Sequence, residues 1–164
     1  MAVKWKKIDK SILRLLLPGA ALLLPILILI VSGLYHQHNY RTFLYALSDA
    51  TVYCSQNNSL QARQEEGNAR VTEENAYALY FLFTKKQAKP RSAAPDAAPE
   101  LVLDYGSGAL LECWTHKMEE GARRTYGIFW RFTDPEGNTW LFDTDDLSMS
   151  ILKRRTKPEY NEPW

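Results

Sequence analysis

The chain has 164 residues, and its 20 Lys and Arg residues nearly balance its 19 Asp and Glu residues, giving a net charge of +1. Five basic residues and one acidic residue fall in the first 14 positions, so residues 36–164 carry 15 basic and 18 acidic residues. No long basic run occurs there, which argues against a nucleic-acid partner. These 129 residues are enough for one domain with a hydrophobic core but not for two.

The first 14 residues form a basic segment in which Asp9 is the one acidic residue. The basic residues are Lys4, Lys6, Lys7, Lys10 and Arg14. Positive charge beside an apolar span stays on the cytoplasmic side of a membrane. The pattern therefore predicts a cytoplasmic stub over 1–14 and places the chain beyond the span outside the cytoplasm.

Residues 15–35 contain no charge, and 13 of these 21 positions are Leu, Ile or Val. About 20 apolar residues are needed for a helix to cross a bilayer, so we predict one transmembrane helix here. The small residues Val31, Ser32 and Gly33 would also suit a cleaved signal peptide. The apolar core before them is longer than the usual 7–15 residues, so we favour an uncleaved anchor in the plasma membrane.

The helical pattern continues beyond the predicted span as far as Asp49. Tyr40, Phe43, Leu44 and Leu47 recur at the spacing of one helix face. We therefore predict one long helix that packs on the rest of the chain through this stripe. The alternative is that the stripe contacts a partner subunit.

The next segments carry weaker signals. A hairpin is predicted from about 51–56 to 68–71, and a helix over 73–87 that starts at the N-cap residue Thr72. The aromatic content of 77–83 would also suit a buried strand. Residues 89–99, rich in Pro and Ala, are predicted to form a loop.

Four antiparallel strands are predicted after this loop. A turn at residues 106–108 would pair Leu103 with Leu111 and Leu101 with Cys113, which makes one face wholly apolar. The turn at residues 134–137 would pair two aromatic residues of the third strand with two of the fourth. These four residues are Trp130, Phe132, Trp140 and Phe142, and we expect them to form the core or, if exposed, a surface for a partner.

The last predicted element is a short helix that Thr144 caps, with a fifth strand as the alternative. The fold class is thus α+β: a single transmembrane helix continues into an extracytoplasmic domain whose helices pack on a four-stranded antiparallel meander. The predicted divisions are the stub 1–14, the span 15–35, the domain 36–157 and an extended tail 158–164.

Cys54 and Cys113 are the two cysteines of the chain, and both follow the predicted span. An even number of cysteines in an oxidising compartment makes a disulfide possible. Two unpaired, buried thiols are the alternative, because the sequence does not give the distance between them.

Several patterns resemble catalytic or metal sites, but none is convincing. His36 and His38 are two residues apart on a helix and point in nearly opposite directions. Cys113 and His116, three apart on a strand, face opposite sides. The carboxylates at 143, 145 and 146 resemble a helix start more than a calcium loop. We therefore predict no enzyme, no metal and no cofactor.

The leading functional hypothesis is a single-pass, membrane-anchored protein-interaction or assembly module without catalytic activity. Its predicted partners are the lipid bilayer and another membrane or extracytoplasmic protein. The alternative is a membrane-tethered ligand-binding sensor domain. Such a domain would need a partner signalling chain, since about 14 residues would lie inside the cell.

Overall fold

The computed structural model describes residues 10–65, 67–84, 88–117 and 126–161, and the side chains of 10–22 and of Tyr160 lie outside the described part. The chain forms two compact units, Met1–His38 and Asn39–Trp164. Within the described residues the fold is α+β, as predicted, with three α-helices and one seven-stranded antiparallel sheet.

Helix α1, Lys10–Asn57, begins in the first unit. Among the described residues no helix is long and apolar enough to cross a membrane.

The predicted span over 15–35 and the single-pass location in the plasma membrane are therefore wrong. The predicted sidedness of the chain depended on that span and is wrong as well, whereas the bilayer as a partner stays a prediction. Lys4, Lys6 and Lys7 lie outside the described residues, as do the side chains of Lys10 and Arg14.

In the second unit α1 continues to Asn57, although the sequence predicts a hairpin strand over about 51–56. The helix continues because Leu47, Ala50 and Cys54 extend its buried face at helical spacing. It ends at Asn58, which adopts a left-handed conformation with φ 52°. The amide of Ser59 then donates to the Cys54 carbonyl, the bond expected of this type of helix end.

The sheet of the second unit has the strand order β2-β1-β4-β5-β6-β7-β3. The strands are β1 Gln61–Gln64, β2 Gly67–Arg70, β3 Lys89–Pro90, β4 Leu101–Asp104, β5 Leu110–Lys117, β6 Tyr126–Thr133 and β7 Thr139–Thr144. The predicted meander is β4 to β7. The β1–β2 hairpin extends it at one edge, and β3 extends it at the other. The first strand of the hairpin lies later in the chain than the predicted 51–56, whereas the second lies close to the predicted 68–71.

The predicted registers are confirmed. Leu103 pairs with Leu111, Phe132 with Trp140, and Trp130 with Phe142. Turn chemistry fixes the β6–β7 register: Asp134 Oδ1 accepts hydrogen bonds from the amides of Glu136 and Asn138. Gly137 completes the turn with φ 87°, a conformation that favours glycine.

The other two helices are α2, Glu73–Thr84, and α3, Met149–Thr156. Thr144 ends β7, so it does not cap α3 as predicted; Ser148 occupies the N-cap position. The tail is also not an extended arm over its described part. Residues Pro158–Tyr160 form a 3₁₀ turn, and Asn161 accepts hydrogen bonds from Thr72 and Asn75 at the start of α2.

Candidate functional site

The structure places the predicted helical stripe and aromatic sheet face in one core. Phe43, Leu47, Trp130, Phe132 and Phe142 are buried, whereas Tyr40, Leu44 and Trp140 are partly buried against them. The Phe43 ring lies 5.3 Å from that of Phe142 and 5.8 Å from that of Phe132, between ring centres. These eight side chains hold the second unit together, so they are not an exposed surface for a partner.

Two polar side chains at the edge of this core form hydrogen bonds with other residues of the second unit. The Tyr40 hydroxyl donates to the Phe83 carbonyl, and Trp140 Nε1 donates to Thr42 Oγ1. Burial raises the pKa of Tyr40 to about 12. Trp130 Nε1 has no hydrogen-bond partner among the described residues, although the ring is fully buried.

Cys54 and Cys113 are free thiols, and both are buried in the core. Burial raises the pKa of Cys54 to about 11 and that of Cys113 further. Burial is the main cause of the raised pKa of Tyr105, and the nearby charges of Cys54 and Cys113 raise it further. A thiol reacts as the thiolate, so these two cysteines are poor nucleophiles in the folded chain.

We therefore expect neither thiol to react with a disulfide reagent at pH 8, and both to react after unfolding in denaturant. Rapid labelling of native Cys54 at pH 8 would contradict this expectation.

The stability of the second unit should also depend on pH through Cys54, whose folded pKa, about 11, exceeds the ordinary value of 9.0. Its contribution to stability is thus complete below pH 9 and is lost as the pH rises towards 11. Urea unfolding across this range should show a steeper loss of stability in the wild type than in Cys54→Ala.

The structure separates the residues of the apparent metal motifs. His36 and His38 are exposed in the first unit. Cys113 lies in the core, while His116 is on the opposite face of the sheet. No group of three or more His, Cys, Asp or Glu residues in the described part of the chain is placed to hold a metal ion.

Sequence reasoning missed a polar cluster on the face of the sheet away from the core. Asp143, 1 % exposed, forms an ion pair with Arg91, and His116 Nε2 lies 3.8 Å from its Oδ2 atom. Asp143 Oδ1 has no hydrogen-bond partner among the described residues. Because Arg91 lies in the Pro- and Ala-rich segment directly after β3, this pair attaches that segment to β7.

The same loop is attached to β5 farther along. The indole nitrogen of Trp114 donates to the Ala97 carbonyl at 2.8 Å, and the Trp114 and Phe129 rings pack edge to face. Both rings are at most 5 % exposed. In the sequences of β5 and β6, apolar residues occur on both faces of the sheet. This pattern was the available signal that the second face is also covered.

An open groove of about 410 Å³ borders α1 in the second unit. It is lined by Ala46, Asp49, Ala50, Tyr53, Ser107, Asp134, Pro135 and Glu136. Two of its three carboxylates, Asp134 and Glu136, already accept hydrogen bonds from Asn138. The ligand-binding function predicted as the alternative stays a prediction.

The longest run of exposed apolar side chains in the described part of the chain is residues 23–35 of α1, which we call the apolar segment. Its nine aliphatic side chains are 53–72 % exposed, and Tyr35 is 70 % exposed. The aliphatic residues are Leu23, Leu24, Ile26, Leu27, Ile28, Leu29, Ile30, Val31 and Leu34. A helix that is apolar around most of its circumference is normally buried, so this segment is the candidate functional surface.

Comparison with known proteins gives no relative. No family model, curated protein or solved structure matches the chain.

Proposed function

We propose that this chain is a non-catalytic protein-interaction or assembly module and that its contact surface is the apolar segment. The observation that carries the proposal is the exposure of nine aliphatic side chains on consecutive turns of one helix. Exposed apolar patches of this extent are typical of protein-contact surfaces. The segment has no charged residue that would oppose burial.

The energetics support a protein contact. Full burial of an aliphatic side chain contributes roughly 1.5–3 kcal/mol. Nine such side chains, each a little over half exposed, therefore offer on the order of 10 kcal/mol or more. Association costs about 4–15 kcal/mol in lost freedom. The gain from covering the whole segment is thus comparable to that cost, whereas the gain from covering two or three of its residues is smaller than most of that range.

The chemistry of the second unit supports a non-catalytic role. The buried thiols have raised pKa values, which makes them poor nucleophiles. The partly buried charges bind one another: Arg131 forms two hydrogen bonds with Glu112 and lies over the Trp114 ring. Arg91 likewise binds Asp143. The first pair joins β5 to β6 and the second joins the loop to β7, so these four charged groups have a structural role.

The proposal predicts that charges in the apolar segment release the chain from its native complex. In a native cell extract, the wild type should elute above the mass of one chain, 18.9 kDa. The double variant Leu27→Glu, Ile30→Glu should elute near that mass, because burying two carboxylates is unfavourable. Tyr45→Glu is the matched control, since Tyr45 is 71 % exposed on the same helix in the second unit.

Both variants should keep the melting temperature of the second unit, because the substituted side chains are outside its core. A double variant that stays in the wild-type complex would contradict the proposed function. An equal loss of the complex in Tyr45→Glu would also contradict it, because the contact would then not be specific to the apolar segment.

A further inference from the structure

The apolar side chains of the segment point in too many directions around the helix axis for one neighbour to cover them all. Successive residues of an α-helix are about 100° apart around its axis. Leu23, Leu27, Ile30 and Leu34 therefore point one way, and Leu24, Ile28 and Val31 point to the adjacent side. Ile26 and Leu29 point towards the remaining sides, while Pro25 and Ser32 mark the least apolar direction. A single neighbouring helix would leave much of this surface in water.

The area of the segment leads to the same conclusion. Complete burial of one aliphatic side chain corresponds to roughly 60–120 Å² at 25 cal/mol per Å². At the observed exposures, nine side chains offer roughly 300–700 Å² per chain. A stable interface buries about 800 Å² on each partner. A neighbour on one side would cover about half of the segment. At least two neighbours are therefore needed for the area buried on each chain to approach about 800 Å².

From this geometry we infer that the apolar segment assembles with the same segment of other copies, in a helix bundle of three or more chains. The inference rests on the proposed function and names the partner. A flat apolar patch of the size usual on soluble proteins touches one side of a helix, whereas other apolar helices can surround it. Every copy supplies such a helix, and the segment has no charge that would repel a like copy. Closed assemblies of identical chains are also the commonest oligomers.

Sedimentation equilibrium of the purified full chain at several concentrations tests the inference. The wild type should give one defined mass at least threefold above 18.9 kDa. Leu27→Glu, Ile30→Glu should reduce that mass at least threefold, to a single chain, and Tyr45→Glu should leave it unchanged. Circular dichroism and melting temperature of each variant show whether the second unit is folded.

A wild type that sediments as a monomer or a dimer would overturn the inference, as would a distribution without a defined stoichiometry. So would an oligomer that the double variant does not dissociate, because the copies would then meet elsewhere. The proposed function fails separately. If the purified chain is monomeric but the extract contains a complex that the double variant loses, the partner is a different protein and only the inference is wrong.

Discussion

Replacing Phe43 with Ala should lower the free energy of unfolding of the second unit by about 3–5 kcal/mol. Phe43 is fully buried, and its ring lies between helix α1 and the sheet, within 6.3 Å of the rings of Trp130, Phe132 and Phe142. The Ala side chain would leave a cavity among aromatic rings that cannot all move to fill it. Urea unfolding followed by tryptophan fluorescence measures the change.

Tyr45→Ala is the matched control for this prediction, because Tyr45 is two residues away on the same helix and 71 % exposed. We expect its effect to stay within about 0.5 kcal/mol. If the two substitutions were equally mild, α1 would not pack on the sheet through the side of the helix that carries Phe43.

Replacing Arg91 with Ala should destabilise the second unit by about 2–4 kcal/mol. It would leave the carboxylate of Asp143 buried without its ion-pair partner, and Oδ1 of that carboxylate already has no partner among the described residues. The lower end of the range allows for the partial exposure of Arg91, 42 %, and for the nearby His116. Urea unfolding again measures the change.

The control is Arg63→Ala. Arg63 binds Asp104 at 2.7 Å, but the two side chains are 54 % and 26 % exposed, so its loss should cost less than about 1 kcal/mol. Adding Asp143→Asn to Arg91→Ala should recover part of the stability, because it removes the unpaired buried charge. An Arg91→Ala effect no larger than that of Arg63→Ala would show that the Asp143 pair does not hold the loop.

The meander was predictable because its signals are local. The turn residues 134–137 fix the β6–β7 register, and alternating aromatic residues identify the buried face. The β1–β2 hairpin was misplaced for a physical reason. Residues 51–54 favour a strand by composition, but Cys54 and Ala50 continue the buried face of α1, and packing outweighs that preference.

The polar cluster was not predictable from the chain. Arg91 and Asp143 are 52 residues apart, and no periodic pattern relates a loop arginine to a strand carboxylate. The sequence identifies the apolar stretch of α1 but assigns it to a bilayer, and that assignment is wrong. Composition identifies a segment that avoids water and does not identify what covers it.

Photo-cross-linking from position 28 in the native complex shows directly whether the apolar segment contacts protein. Ile28 is 59 % exposed, so a photoreactive amino acid in its place would face whatever covers the segment. We expect a protein adduct in high yield from position 28 and little from position 45. An absence of protein adducts from position 28, or equal yields from both positions, would contradict it.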